Sequence, residues 1–188
     1  MSDEEDAKKG CAGCLGCLIV FVIIPWLIFG SYYLLTSKTA EEAVKDMSMQ
    51  DVLYTGWLVR DDTATKEKKN FVEKMCSAVK KETGLDMSVP IWEVLARNKK
   101  VKNLSLKCSS EYGGNGEYSM CYEIDGKQHI LEFAGIGSSI MQLEFGHALY
   151  IGSRSELVDE VGPLYGMPEE GRKALKEFIG MQEGISNN

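Results

Sequence analysis

Histidine is scarce in this chain of 188 residues, which has only His129 and His147. Any Cys–His or Ser–His catalytic pair must therefore use one of these two side chains. An acid–base pair of His129 with Glu132, or of His147 with Glu144, is also excluded. Each pair has an odd separation along a strand, which points the two side chains to opposite faces. We therefore predict no catalytic residues, no metal site and no cofactor, and the sequence favours a non-catalytic role. His129 is interpreted as a buried ring beside Tyr122, with one ring nitrogen hydrogen-bonded.

Positive charge is also in short supply, since the net charge is −7. An acidic protein binds phosphate groups poorly. The basic run Lys66, Lys68 and Lys69 is interrupted by Glu67, and no aromatic residue interleaves it. We interpret this run as the solvated face of a helix and predict no nucleic-acid partner.

Charged side chains are absent from Gly10 to Ser37. Residues 15–35 are long enough to cross about 30 Å of hydrocarbon at about 1.5 Å per residue. A cleaved signal peptide is the alternative, but the apolar run is about twice the usual length and no small-residue cleavage site ends it cleanly. The sequence therefore predicts one transmembrane helix in contact with the lipid bilayer.

The predicted organisation has three parts: an acidic head over 1–9, a transmembrane helix over 10–36, and a soluble α+β domain over 37–188. The positive-inside rule does not decide the orientation, because lysines flank the helix on both sides. A short head followed at once by a span favours a cytoplasmic N-terminus and an extracytoplasmic domain. The expected protein is a single-pass signal-anchor protein.

Small residues recur at helical spacing where the apolar segment begins. They are Gly10, Ala12, Gly13, Cys14, Gly16 and Cys17. Pairs of small residues four positions apart let another helix approach closely. The predicted partner is a second transmembrane helix, from another copy or another protein; the alternative is that small residues are simply common in membrane helices.

Three cysteines in the same stretch, at positions 11, 14 and 17, supply only three thiolates with no histidine nearby. This set does not indicate a metal or cluster site. If the head is cytoplasmic in a eukaryotic cell, these thiols are candidates for palmitoylation.

The remainder of the chain shows helical periodicity on both sides of a block with period two. Capping-box spacing after Thr39, Ser48 and Ser153 marks three helix starts. The predicted helices lie near 39–47, 48–59, 64–83, 90–98, 153–161 and 168–180, and the predicted strands near 103–112, 117–124, 127–134 and 140–151. The fold class is a two-layer α+β domain, in which a four-stranded antiparallel meander packs against amphipathic helices.

The register of the meander is set by the Asp125-Gly126 turn, which favours a two-residue hairpin. It places Tyr122 opposite His129 and brings the apolar residues onto one face. Extending the register to the first strand sets Leu106 opposite Ile124 and Cys108 opposite Tyr122. Extending it to the fourth sets Phe133 by Met141 and Leu131 by Leu143.

Three cysteines fall in the domain, and the predicted register separates two of them. It sends Cys108 to the core and Cys121 outward, so Cys121 is the candidate reactive thiol. A disulfide between Cys76 and Cys108 is the pairing we would test first.

A stiff loop joins the last two helices. It contains two glycines together with Pro163, Tyr165 and Pro168, which we take as candidate partner contacts or as a simple connector.

No stretch carries a motif specific enough to indicate a family, so the functional hypotheses stay general. The first is a membrane-anchored accessory or interaction protein that contributes to a membrane protein complex. The second is a membrane-tethered peptide- or ligand-binding domain, which adds a partner strand at the edge 104–112 or 140–151. The third is a membrane-tethered, thiol-dependent enzyme using Cys121 or Cys76.

Overall fold

The computed structural model describes residues 19–54, 63–112, 114–137 and 146–186. The chain divides into two compact units. The described part of the first unit is 19–37, and the second unit comprises the described residues from Lys38 onward.

The first unit is helical throughout most of its described length. A π-helical turn, Ile19–Ile23, leads directly into α1, Ile24–Thr36. Pro25 is the second residue of α1, and its lack of an N–H group removes one hydrogen bond to the preceding turn. Within the described ranges, none of the helices combines the length and the apolar character needed to cross a membrane. The small residues from Gly10 to Cys17 lie outside the described residues.

Along the chain, the second unit has helices before and after the four strands of its sheet. The helices are α2 (Ala40–Lys45), α3 (Met49–Leu53), α4 (Thr63–Thr83), α5 (Ile91–Arg97), α6 (Arg154–Val161) and α7 (Glu169–Ser186), with a 3₁₀ turn, Gly162–Tyr165, between the last two. The strands are β1 (Lys102–Tyr112), β2 (Asn115–Ile124), β3 (Lys127–Ile136) and β4 (His147–Tyr150). The strands are antiparallel in the order β1-β2-β3-β4, so the fold is α+β with a four-stranded antiparallel sheet, as predicted.

Local capping explains where several helices begin. The side chains of Thr39 and Ser48 each accept a hydrogen bond from the backbone N–H of the residue three positions on. The carboxylates of those residues, Glu42 and Asp51, in turn accept a hydrogen bond from the backbone N–H of the cap residue, which completes two capping boxes. The Ser153 side chain accepts from the backbone of Glu156. The helix predicted near 48–59 is longer than α3, which ends at Leu53 because Tyr54 takes an extended backbone with ψ of 114°.

The hydrophobic core lies between one face of the sheet and the helices. Its sheet side is formed by Met120, Tyr122, Leu131 and Phe133, each 1% exposed or less. Helix α2 packs on β2, β3 and β4 from this side. Burying each large apolar side chain of this kind stabilises the fold by about 1.5–3 kcal/mol.

The predicted register is confirmed for the central hairpin. Ile124 pairs with Lys127 and Tyr122 with His129, on either side of the two-residue Asp125-Gly126 turn. Asp125 and Gly126 both have positive φ, 51° and 77°, which is the backbone that such a turn requires.

The predicted register between β1 and β2 is wrong by four residues. Leu106 pairs with Met120, and Cys108 with Tyr118. Next to the turn, Tyr112 pairs with Asn115. Because four is an even number, Leu106 keeps its predicted face despite the shift.

The predicted pairing of the fourth strand is also wrong. Phe133 pairs with Tyr150 rather than with Met141, and β4 begins only at His147. This shift is odd, so it exchanges the two faces of the strand, and Ala148 is buried while His147 is exposed. Residues 138–145, which include Met141 and Leu143, lie outside the described residues.

Candidate functional site

Two side chains of the sheet converge on one carboxylate of a helix. The hydroxyl group of Tyr122 donates a hydrogen bond of 2.5 Å to Oε1 of Glu160. Nδ1 of His129 lies 3.1 Å from the same oxygen. The rings of Tyr122 and His129 stack at 10° with their centroids 5.1 Å apart. We call Tyr122, His129 and Glu160 the carboxylate cluster.

The fold positions this cluster through the confirmed hairpin register. Tyr122 on β2 and His129 on β3 are directly opposite, which brings both rings to the helix-covered face. Glu160 is the penultimate residue of α6. Tyr122 is only 1% exposed, whereas 29% of the His129 side chain and 27% of the Glu160 side chain remain accessible. The cluster is therefore buried at the phenol and partly open to solvent at the imidazole.

Burial and the nearby carboxylate set the protonation of the phenols. Burial, assisted by the hydrogen bond to Glu160, raises the pKa of Tyr122 well above its usual range. Burial is also the largest cause that raises the pKa of Tyr150 to about 12, and the negative charge of Glu160 adds to it. Both phenols therefore remain protonated at neutral pH, and Tyr122 acts as a hydrogen-bond donor.

The geometry defines what the imidazole of His129 can do. A proton on Nδ1 would be donated to Glu160 and would leave Nε2 as the acceptor atom of a neutral ring. A carboxylate that contacts one ring nitrogen in this way orients the imidazole ring. Among the described residues, no group of three or more histidine, cysteine, aspartate or glutamate side chains is arranged to hold a metal ion.

His129 is predicted to be a buried ring beside Tyr122 with one ring nitrogen hydrogen-bonded. In the structure it stacks on Tyr122 with Nδ1 close to Glu160, but 29% of its side chain remains accessible. The participation of Glu160 was not predicted, because only Glu132 and Glu144, which are close to the histidines in sequence, were considered as partners. Glu160 is 31 residues from His129 along the chain. The sequence offered one indication: Glu160 lies in the capped helix predicted near 153–161, and the inner side of that helix must pack on the sheet.

No known family model, curated protein sequence or solved structure matches this chain.

The cysteines of the domain are not placed as predicted. Cys121 is 7% exposed, although it lies on the outer face of the sheet between Ser105 and Ile130, because a small side chain on a central strand is covered by its neighbours. Cys108, predicted to be in the core, is exposed on the edge strand β1 beside a bulge.

Cys76 and Cys108 are free thiols in the structure. Cys76 is buried on α4, and this burial raises the pKa of its thiol to about 11. A buried thiol that stays protonated at neutral pH is a poor nucleophile. The structure therefore does not join the two cysteines, and it gives Cys76 no activated character.

Tyr165, one of the candidate partner contacts in the loop between the last two helices, bonds to the helical layer. The hydroxyl group of Tyr165 donates a hydrogen bond of 2.5 Å to the carbonyl oxygen of Val89 and accepts one of 3.3 Å from the backbone N–H of Met49. Pro163 and Pro168 are exposed. Tyr165 thus attaches the loop to the helical layer, because the buried hydroxyl finds two backbone partners there.

Proposed function

We propose that this protein is a single-pass, membrane-anchored accessory or interaction protein. Its N-terminal apolar segment would hold it in the lipid bilayer, and its α+β domain would contribute to a membrane protein complex. The N-terminus is cytoplasmic and the domain extracytoplasmic in this proposal.

The observation that carries the proposal is the apolar surface of the first unit. Large side chains point to solvent all around it, with Phe21 75% exposed, Trp26 74% and Phe29 67%. Leaving apolar surface in water costs about 25 cal/mol per Å². Continuous exposed apolar surface of this kind marks a region that is covered by lipid or by protein. The uncharged sequence from Gly10 to Ser37 extends the same character beyond the described residues.

Membrane extraction tests the anchor. The full-length tagged protein should remain in the membrane fraction after an alkaline carbonate wash and should be released by detergent. Ile28→Arg places a charge in the exposed apolar surface and should reduce the retained fraction, because an arginine at the centre of a span costs about 2.5–3.5 kcal/mol. Ile130→Arg, at a position 53% exposed in the domain, is the matched control and should not. Release of the unmodified protein by carbonate would contradict the proposal.

The complex is tested separately by gentle detergent extraction and identification of co-purifying proteins. We expect a stable partner or a homo-oligomer rather than a lone monomer. Changing both Gly13 and Gly16 to isoleucine should abolish that association if the small residues form the helix contact. Unchanged association would show that these small residues do not form the contact, and the association would then have to come from the α+β domain.

A second candidate, a membrane-tethered peptide-binding domain, is favoured by the edge of the sheet. Strand β1 has 11 residues and, among the strands that the structure describes, pairs only with β2, so its other edge can receive a partner strand. Bulges near Lys102 and near Cys108 distort this edge and limit how much of it can pair. Amide exchange tests this candidate: a bound peptide should protect the edge amides of β1.

The third candidate, a thiol-dependent enzyme, has less support. The candidate thiol Cys121 is buried, and the pKa of Cys76 is raised rather than lowered. Catalytic thiols need partial exposure and a lowered pKa.

A further inference from the structure

The backbone of the first unit changes its hydrogen-bonding pattern just before Pro25. The π-helical turn Ile19–Ile23 is followed directly by α1, Ile24–Thr36. An N–H group donates to the carbonyl oxygen five residues before it in a π-helix and four residues before it in an α-helix. The change from one pattern to the other therefore passes over one carbonyl group. Pro25, which has no N–H, leaves a second carbonyl group without a donor.

Both carbonyl groups belong to residues 20–22, because the π-helical turn pairs those before them and α1 pairs those after them. The neighbouring side chains offer little to replace the missing donors. Within residues 18–29, Trp26 is the single residue whose side chain can donate a hydrogen bond. A backbone carbonyl group without a donor is costly in hydrocarbon, since no water is present there to bond it. Residues 20–22 therefore favour a partner that brings a donor.

Trp26 carries the complementary group, an indole N–H. Its side chain is 74% exposed, and within the part of the chain that the structure describes no oxygen accepts a hydrogen bond from this N–H. Position 26 is near the middle of the predicted span, too deep for the interfacial belt in which tryptophan is usually found. A buried indole N–H usually finds a hydrogen-bond acceptor. The same helix thus presents a donor and acceptors that it does not pair by itself.

A second copy of the chain brings this donor to the depth of the acceptors. Two copies inserted in the same direction place equivalent residues at the same depth, and Trp26 is about 6–9 Å farther along the axis than residues 20–22. Helical side chains lean back toward the N-terminus, so the indole of one copy reaches toward the carbonyl groups of the other. A twofold axis along the bilayer normal forms this contact twice.

We propose that the partner of α1 is a second copy of this chain, parallel to the first, and that the Trp26 indole of each copy donates a hydrogen bond to a carbonyl group of residues 20–22 in the other. This inference rests on the proposed membrane anchor and deepens it, because it names the partner and the contact. Hydrogen bonds between helices drive association in lipid, where the hydrophobic effect does not.

Energy transfer between labelled copies in lipid vesicles tests the proposal. Full-length protein carries a donor or an acceptor fluorophore on a C-terminal tag, is reconstituted into phosphatidylcholine vesicles, and is floated on a density gradient. Energy transfer is then measured as added lipid dilutes the protein. Trp26→Phe keeps an aromatic ring but lacks the N–H group. Trp92→Phe makes the same chemical change in α5 and is the matched control.

We expect the unmodified protein and Trp92→Phe to associate equally, and Trp26→Phe to associate about tenfold more weakly, because each dimer loses two hydrogen bonds. Pro25→Ala restores a backbone N–H and should also weaken association. Combined with Trp26→Phe it should have little further effect, since both changes remove the same contact. This non-additivity distinguishes a shared hydrogen bond from two separate losses of packing.

Association of Trp26→Phe as strong as that of the unmodified protein, or strictly additive effects of the two substitutions, would overturn the proposed contact. Unmodified protein that floats with the vesicles but stays monomeric would overturn the second copy as partner while the anchor stands. Protein that does not float with the vesicles would overturn the anchor and the dimer together.

Discussion

Tyr122 and Glu160 are joined by a hydrogen bond of 2.5 Å although 38 residues separate them in the chain. The same carboxylate oxygen also contacts His129, so one side chain of α6 connects β2 and β3 to the helical layer. A buried hydroxyl that loses its acceptor costs more than the hydrogen bond itself contributes. The carboxylate cluster should therefore contribute measurably to stability.

A double-mutant cycle measures this connection. Glu160→Ala leaves the Tyr122 hydroxyl buried without its acceptor and should lower the free energy of unfolding by about 1–3 kcal/mol. In a Tyr122→Phe background, Glu160→Ala should lower the free energy of unfolding by less. The difference between the two effects is the coupling energy, which we expect to be about 0.5–3 kcal/mol. Denaturant unfolding of the protein in mild detergent measures both values. Glu132→Ala, on the exposed face of β3, is the control and should change stability by no more than about 0.5 kcal/mol. Strict additivity would mean that the two residues do not act together.

The attachment of the connecting loop depends on a single hydroxyl group. Tyr165→Phe removes the donor to Val89 and the acceptor of Met49 while keeping the ring, so we expect a loss of about 1–3 kcal/mol in thermal or denaturant unfolding. Tyr112→Phe makes the same chemical change at a position 92% exposed and should be nearly neutral. Equal effects of the two substitutions would show that the buried hydroxyl contributes nothing specific.

Acid should reveal the interaction of Asp86. Ion pairing and hydrogen bonding with Lys80, together with hydrogen bonds from Ser88, lower the pKa of the Asp86 carboxyl from 3.8 to about 2. A pKa that is lower in the folded protein means that protonation favours the unfolded state. The stabilisation is therefore present above about pH 4 and lost as the pH falls toward 2.

The measurement is the difference in Tm between the unmodified protein and Asp86→Asn at pH 6 and at pH 2. We expect the unmodified protein to have the higher Tm at pH 6 and this advantage to shrink at pH 2, since the amide cannot titrate. A difference that stays constant between the two pH values would contradict the predicted role of Asp86.

Thiol labelling should separate the three cysteines of the domain. Cys108 is exposed and should react with a maleimide in the native state, whereas Cys76 and Cys121 are buried and should react only as the domain opens. Burial also raises the pKa of Cys76 to about 11, which keeps its thiolate scarce at neutral pH. Peptide mapping after timed labelling identifies each site. If Cys121 is labelled in the native state as fast as Cys108, the Cys121 thiol is accessible and its burial in the structure is contradicted.

Local chemistry explains which parts of the fold could be predicted. Thr39 and Ser48 cap their helices through residues three positions away, and the Asp125-Gly126 turn defines the hairpin that pairs Tyr122 with His129. Each of these interactions is complete within a few residues of sequence.

Longer-range features escaped prediction for an equally physical reason. The pairing of Phe133 with Tyr150 depends on the length of a connection that the alternation of apolar residues does not encode. The exposure of Cys108 follows from bulges and from its place on an edge strand, and the inward direction of Tyr165 follows from backbone partners on α3 and before α5.

The amino-acid sequence by itself determined the α+β class, the helix caps, the central hairpin and the uncharged N-terminal segment, because short-range periodicity, capping and turn chemistry control these features. Only the tertiary structure decided that Glu160 meets Tyr122 and His129, and that the hydroxyl group of Tyr165 meets the backbone of Val89 and Met49. These relationships join residues that are far apart in sequence, and packing of the whole domain, rather than any local pattern, brings them together.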